Sequence, residues 1–219
     1  PKGDADQDLS PELETLRERS RDLVRNNPLA AGAIKTKVTS VIGNGLTLKS
    51  RIDREVLGLE EEAADKWENH TEAEWKLFSK STGCDVEDTL NFSQIQELAF
   101  RSTLENGDVF VLTPMNKAVR RVYSLQLQLI EADRVCNKDN ASDSDTLSGG
   151  IEREKYGGAP VYCHVIKGHP GNMFSKNNEW QKIRVRRPKT GRRNILHLFH
   201  KVRVGQSRWV PDLSPVIES

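Results

Sequence analysis

Two histidines, His197 and His200, lie three residues apart near the end of the sequence, and a third, His164, follows Cys163. Imidazole and thiolate groups bind zinc, which needs three or four ligands that converge at a recognisable spacing. Residues three apart on a strand point to opposite faces, so one ion is poorly placed to bind both His197 and His200. We therefore expect one packed and one exposed histidine, and we predict no metal site.

The other motif-like segments have ordinary structural explanations. The GNG segment at 43–45 lacks the third glycine of a dinucleotide loop and follows a predicted helix, so it fits a helix end. The acidic residues at 85–88 are typical of a helix-capping loop. Asp143 and Asp145 lie in a polar loop, where rigid metal coordination is least expected. The sequence contains no GxxxxGK[ST], GxSxG or HExxH motif, and we predict neither an enzyme nor a cofactor.

The distribution of charge gives the strongest functional signal. No acidic residue occurs between Glu179 and Asp212, and this span carries ten bases: Lys182, Arg184, Arg186, Arg187, Lys189, Arg192, Arg193, Lys201, Arg203 and Arg208. A basic segment on a sheet can contact nucleic acid weakly through its phosphates. Alternatively, these bases pair with acids of the helical half or of a neighbouring subunit. The residues alone leave both interpretations open.

Tryptophans are the expected anchors of cores and interfaces. Trp67 and Trp75 fall on one face of a predicted helix, and Trp180 begins a predicted strand. Trp209 follows Arg208 in a predicted loop, which makes it the best candidate for an exposed aromatic at an interface.

Composition places further limits on the class of protein. The 219 residues are 36% hydrophobic and 30% charged, with a mean hydropathy of -0.64 and a net charge of +1. A lean core of this kind suits one subunit of an assembly. The three cysteines are odd in number and far apart, which favours a reducing compartment over a disulfide framework. No apolar run approaches the ~20 residues that a membrane-spanning helix needs, so we expect no membrane partner.

Hydrophobic periodicity changes at Gly107, and it predicts an α+β fold. Residues 1–9 read as a disordered polar tail, and 10–107 as a helical segment with helices that include 59–80 and 89–105. A short strand is predicted at 46–48. Residues 108–219 show a period of two with turn signals, which predicts a mainly antiparallel sheet that is continuous with the helical segment.

Six segments form an ordered series that covers almost the whole chain after residue 20. They are RDLVRNNPLAAGAI at 21–34, VIGNGL at 41–46, FRSTLENGDVFVL at 100–112, LQLQLIEADRV at 125–135, GGIEREKYGGAPVYCHV at 149–165 and ILHLFHKVRVGQSRWVPDLSPVIE at 195–218. In this order the segments resemble the lambda-type bacteriophage portal proteins, the head-to-tail connector family, and the order is more specific than any one segment. Trp209 stands where this family often has a glycine.

The resemblance implies a structural subunit of a portal ring, usually of about twelve copies, with head-to-tail contacts between copies. It implies non-specific passage of double-stranded DNA, packaging by terminase, and contacts with scaffold, capsid and tail connector proteins. The expected location is the virion, after assembly in the bacterial host cytoplasm. We expect this chain to be the N-terminal, wing-like part of such a subunit, without the downstream stem that lines the channel.

Two other classes remain as alternatives to the portal interpretation. One is a nucleic-acid-binding module or metal-dependent nuclease that uses the basic C-terminal third. The other is a head-assembly scaffold that forms no ring.

Overall fold

Helices form the first half of the chain and short antiparallel strands form the second half, which confirms the α+β prediction. The computed structural model describes residues 2–117, 122–172 and 179–217. The helices are α1 (Ala5–Asn26), α2 (Pro28–Val41), α3 (Arg54–Leu57), α4 (Glu61–Lys80) and α5 (Phe92–Asn106). The strands are β1 (Asp108–Leu112), β2 (Gln128–Ile130), β3 (Leu147–Ser148), β4 (Ile151–Arg153), β5 (Pro160–Ile166), β6 (Trp180–Arg184) and β7 (Ile195–Phe199).

Helix α1 begins earlier than the sequence predicted. Its first residue is Ala5, and the Asp4 side chain accepts hydrogen bonds from the backbone N–H groups of Asp6 and Gln7. Residues 5–9, predicted as a disordered tail, therefore lie inside a capped helix. The C-terminal segment holds this helix start in place, because Arg203 Nη1 donates to Asp8 Oδ2 at 2.7 Å.

Caps define the ends of the next helices much as predicted. The Asn27 side chain accepts from the N–H groups of Leu29 and Ala30, and Pro28 occupies the first turn of α2, which ends at Val41 before the GNG segment. Asn91 and Gln94 form a reciprocal capping box, so α5 begins at Phe92 rather than at 89.

No strand forms at 46–48, contrary to the prediction. Side chains of two helices bind backbone N–H groups in and after this stretch. Leu46 N donates to Gln96 Oε1 at 2.9 Å, and further along Ser50 N donates to Glu72 Oε1 at 2.9 Å. Hydrogen bonds from α4 and α5 thus satisfy this backbone, a possibility that a local sequence pattern does not reveal.

The predicted antiparallel sheet is divided into two small ones. The first has the order β2-β1-β7 and the second has the order β3-β4-β5-β6. All of their ladders are antiparallel. Apolar and polar residues alternate at 123–129, as in a strand, but only the end of this stretch belongs to β2, and Leu125 and Leu127 form single bridges instead.

A shared core joins the two sheets. Phe110 and Ile195 from the first sheet pack with Ile151, Cys163 and Val165 from the second, all of them buried. The helices add a core around Ile34 and Leu104 and an aromatic cluster around Phe78. Trp75 joins that cluster, whereas Trp67, predicted on the same face, is 51% exposed.

Candidate functional site

A hairpin between β6 and β7 carries most of the bases that the sequence singled out. Beyond β6, Arg186 and Arg193 pair as an isolated antiparallel bridge. Arg187 N donates to the carbonyl oxygen of Arg192 at 2.8 Å, and Gly191 N donates to that of Arg187 at 2.9 Å, which closes the turn. We call residues 184–193 the basic hairpin. It contains six bases, of which only Arg192 is partly buried: Arg184, Arg186, Arg187, Lys189, Arg192 and Arg193.

These six bases have no ion-pair partner among the described residues. Arg186 Nη1 donates to the Gly191 carbonyl at 3.0 Å, and Arg192 Nη2 donates to that of Thr113 at 2.6 Å. Arg187 Nε donates to Asn194 Oδ1 at 2.9 Å. These contacts orient the guanidinium groups without neutralising them. The hairpin is therefore a cationic surface that suits an anionic partner, either phosphate or carboxylate.

The other predicted bases lie in different environments. Lys182 Nζ pairs with Glu152 Oε2 at 2.6 Å, and Arg203 pairs with Asp8 of α1 at 2.7 Å. Lys201 is exposed and has no ion pair in the described part of the chain. The interpretation that the bases pair with acids of the helical half thus applies to Arg203 alone.

Arg208 is not a surface base, contrary to the prediction. It is 3% exposed, and all of its guanidinium nitrogens donate hydrogen bonds inside the protein. Nε and Nη2 bind the two carboxylate oxygens of Asp108, with Nη2–Oδ1 at 3.1 Å. The remaining donors reach carbonyl oxygens of Val135, Gly149 and Ala132 at 2.6 to 2.7 Å. Arg208 therefore cannot contact DNA or a neighbouring subunit from this position.

A second arginine completes the buried charge network around Asp108. Arg17 of α1 donates from Nη2 to Asp108 Oδ1 at 3.0 Å and from Nη1 to Asp133 Oδ1 at 3.3 Å. Burial alone would raise the pKa of Asp108, but the charges of Arg208 and Arg17 outweigh it and hold that pKa well below its usual value. The network links α1, the start of β1 and the C-terminal segment.

His197 and His200 behave as expected, one packed and one exposed. The ring of His197 stacks between Phe110 and Phe199, with centroids 4.1 and 4.2 Å away. Burial lowers the pKa of His197 even though its Nε2 lies 3.1 Å from Asp108 Oδ2. A neutral imidazole beside a carboxylate carries its proton on Nε2 and donates it, so this nitrogen is not free to bind a metal.

A cluster of three side chains, which the sequence did not predict, is close enough to hold a cation. Its members are Glu131, Asp133 and His169. His169 Nε2 lies 3.5 Å from Glu131 Oε2 and 3.4 Å from Asp133 Oδ2. Arg21 Nη1 also lies 2.6 Å from Asp133 Oδ2. An arginine already neutralises the central carboxylate, so we assign this cluster as an ion-pair network. His169 lies far from Glu131 and Asp133 in the sequence, so no short motif predicted this cluster.

The acidic loops have structural roles. Asp85 Oδ2 accepts from Thr89 N, Thr89 Oγ1 and Leu90 N, which shapes the entry to α5. Asp143 accepts from Asn137 Nδ2 at 2.7 Å and Gly149 N at 3.1 Å, among other donors. These carboxylates satisfy backbone and side-chain donors and so stabilise turns.

Two buried cysteines are unsuited to nucleophilic chemistry. Burial raises the pKa of the Cys84 thiol to about 11 and that of the Cys163 thiol to about 12. Both thiols are therefore protonated at neutral pH, whereas the thiolate is the reactive form.

Trp209 is partly buried rather than fully exposed. Its ring meets His200 edge-on at a centroid distance of 6.0 Å, and its carbonyl group lies against Gly107. It lines a groove with residues of α2 and α5, among them Phe100, and with Phe199 of β7. Its prediction as an interface aromatic stays a prediction.

Within the described ranges, no helix combines the length and the apolar character needed to cross a membrane.

Comparison with known proteins identifies the family. Residues 1–219 match the family described as phage portal protein, lambda family. Portal protein B of Escherichia phage lambda is 30% identical over 95% of this chain and 39% of its own length. The portal protein of Escherichia phage N15 is 27% identical over 100% of this chain and 41% of its own length. A probable portal protein of Halomonas phage phiHAP-1 is 28% identical over 83% of this chain.

This chain spans about two fifths of the length of the lambda and N15 relatives. The match nevertheless extends over every element of the fold described above, from α1 to the C-terminal segment. The chain belongs to the lambda family of phage portal proteins.

Proposed function

We propose that this chain is part of a structural subunit of a phage portal, a ring of about twelve copies at one vertex of the head. Terminase pumps double-stranded DNA through the ring during packaging, and the DNA leaves through it at ejection. Scaffold and capsid proteins contact the ring during head assembly, and tail connector proteins dock on it afterwards. The subunit assembles in the bacterial host cytoplasm and resides in the virion.

The observation that carries the proposal is the family match over residues 1–219. Relatives named as portal proteins in phages lambda and N15 align with nearly all of the chain. The chemistry of the described residues agrees with a structural role. The buried thiols of Cys84 and Cys163 are protonated, His197 is enclosed between aromatic rings, and the acidic loops bind backbone donors. We propose no covalent step and no cofactor for this chain.

The test is to purify the full-length protein encoded by the gene and to image it by negative-stain electron microscopy. Rings with a central hole and roughly twelve-fold symmetry are the expected result. A monodisperse monomer, or an irregular aggregate at every salt concentration tried, would contradict the proposal. A head-assembly scaffold would likewise form no rings. This experiment therefore separates a portal from a scaffold as well as from a monomeric protein.

A second candidate function is a nucleic-acid-binding module or metal-dependent nuclease. The observation that favours it is the basic hairpin, whose six bases have no ion pair among the described residues. Incubating the protein with supercoiled plasmid and Mg²⁺ or Mn²⁺ tests the nuclease directly. Conversion to nicked or linear DNA, lost when chelator is added, would support the nuclease against the portal. Intact plasmid under all conditions is the expected result.

A further inference from the structure

The basic hairpin needs an anionic partner, and the chain carries an anionic surface elsewhere. Residues 53–74 contain nine acidic residues and two basic ones. They span α3 and most of α4. We call the exposed side of this segment the acidic face. Among the described residues, no ion pair joins the acidic face to the basic hairpin of the same chain.

Five of the nine acids already have partners within the chain, and three of them, Asp53, Glu61 and Glu74, bind Val56 N, Arg54 and the Tyr123 hydroxyl. Glu68 Oε1 and Glu72 Oε1 accept hydrogen bonds from Ile52 N at 2.7 Å and Ser50 N at 2.9 Å, so they support the fold. Glu55, Glu60, Glu62 and Asp65 are exposed and have no ion-pair partner in the described part of the chain. Their mutual repulsion is unfavourable in the isolated chain. A cationic partner would remove that cost.

Apolar side chains lie among these acids. Val56 is 81% exposed, Leu57 is 57% exposed and Trp67 is 51% exposed. An apolar centre with a charged rim is the usual composition of a protein–protein interface, and tryptophan is enriched there. DNA is excluded as the partner of this surface because its phosphates would be repelled by the carboxylates. The acidic face therefore fits a basic protein surface.

We propose that the basic hairpin of one copy docks on the acidic face of the next copy. This inference rests on the proposed ring, because a closed ring uses head-to-tail interfaces in which two different surfaces of each copy meet. Both surfaces are present on this chain and have opposite charge. Within the described residues the six bases of the hairpin have no ion pair, and neither do Glu55, Glu60, Glu62 and Asp65 of the acidic face. Complementary potentials of this kind set the register of an interface and suppress wrong pairings.

DNA is the competing partner for the basic hairpin, and two observations favour the neighbouring copy. The chain supplies an acidic surface that would otherwise be left unneutralised and studded with exposed apolar groups. Furthermore, a conduit that held DNA through six bases in each copy would resist translocation, since affinity rises steeply with the number of phosphates neutralised.

The test uses charge reversal in the full-length protein. The first variant carries Lys189→Glu and Arg193→Glu, since neither side chain donates a hydrogen bond in the described structure. The second variant carries Glu62→Lys and Asp65→Lys on the acidic face. Each alone brings like charges together, which costs several kcal/mol at an interface, so we expect at least about a tenfold loss of rings at 150 mM salt. A third variant combines all four changes, so that the new glutamates of the hairpin can pair with the new lysines of the acidic face.

We expect the combined variant to recover rings to within about threefold of the wild type. The matched control for the hairpin variant is Lys35→Glu with Lys138→Glu, which changes the net charge by the same amount as that variant at exposed lysines outside both surfaces; it should assemble normally. Thermal unfolding by circular dichroism checks that every variant is folded. Ring yield is read by mass photometry and electron microscopy.

The outcomes separate this inference from the function on which it rests. A wild-type protein that forms no rings overturns the proposed function. Wild-type rings together with normal assembly of the hairpin variant overturn the inference alone, and loss of DNA retention in that variant would assign the hairpin to DNA. Rings that are lost in both double variants but not recovered in the combined variant also overturn the pairing.

Discussion

Asp108 is a fully buried carboxylate, and its environment explains how the helical half is joined to the sheets. It begins β1, directly after the glycine that ends α5, and it accepts hydrogen bonds from Arg208, Arg17 and His197. A buried charge is costly unless it is paired and hydrogen-bonded. Three donors from distant parts of the sequence meet this need, so the network specifies how α1, β1, β7 and the C-terminal segment fit together.

Removing Arg208 should destabilise the chain severely. We expect Arg208→Ala to lower the free energy of unfolding by about 3–5 kcal/mol, because the change leaves Asp108 buried with part of its pairing gone. Urea unfolding followed by circular dichroism at pH 7 measures the effect.

Arg203→Ala is the matched control for this change. Arg203 also belongs to the C-terminal segment and pairs with a carboxylate, but its side chain is 53% exposed. Exposed pairs contribute little, so its loss should stay below about 1 kcal/mol. Equal effects of the two substitutions would contradict the role assigned to the buried network.

Burial of single residues is the property that this sequence predicts least well. Arg208 belongs to a run of bases in the sequence, yet it is buried in the structure. The ten bases are the same two residue types with similar neighbours, and only the three-dimensional position of Asp108 distinguishes Arg208. The histidine pair was predictable because the alternation of a strand dictates opposite faces for residues three apart.

At the scale of elements, the sequence predicts helix ends well, because they depend on residues that are close together in the chain. Helix ends at Asn27, Asn91 and Gly107 follow capping rules that act over a few residues. The absence of strand pairing at 46–48 could not be predicted, because the Leu46 N–H binds the side chain of Gln96 on α5, which is distant in sequence. The division into two sheets has the same origin, since strand pairing depends on contacts distant in sequence.

Gly107 connects α5 to β1 at the point where the C-terminal segment crosses. Its φ of +87° lies in the region that favours glycine, and a Cβ atom there would lie 2.0 Å from the Trp209 carbonyl oxygen. We expect Gly107→Ala to lower the free energy of unfolding by at least about 2–3 kcal/mol, from backbone strain and displacement of the crossing segment. Thermal or urea unfolding measures this loss.

Gly58→Ala is the control that separates backbone strain from the steric clash of Gly107→Ala. Gly58 ends α3 with a φ of +62°, and nothing lies within 4 Å of its added Cβ atom. Only the conformational cost of about 1–2 kcal/mol then applies. If Gly107→Ala costs no more than Gly58→Ala, the close approach of Trp209 is unimportant for stability.

At the scale of the whole molecule, the proposed contact between neighbouring copies explains the uneven distribution of charge. The net charge of +1 conceals a cationic hairpin and an anionic helical face on one chain. Either surface alone would suggest a separate ligand. Their coexistence on a member of a portal family favours the proposed contact between neighbouring copies, in which the bases of the hairpin would be covered by protein rather than by DNA.

This arrangement predicts how an assembled ring responds to salt when it binds DNA. If the basic hairpins are covered by neighbouring copies, few phosphates are neutralised, and affinity for duplex DNA should be weaker than about 1 μM at physiological salt. The affinity should change by only about tenfold between 50 and 200 mM salt, which corresponds to roughly two phosphate contacts. Fluorescence anisotropy with two duplexes of unrelated sequence measures both quantities, and the duplexes should bind equally.

Hairpins that faced the channel would engage many more phosphates, and affinity would then fall by about a thousandfold or more over the same range. Such a steep loss, or a preference for one duplex, would contradict the weak and non-specific DNA contact that follows from the proposed portal function.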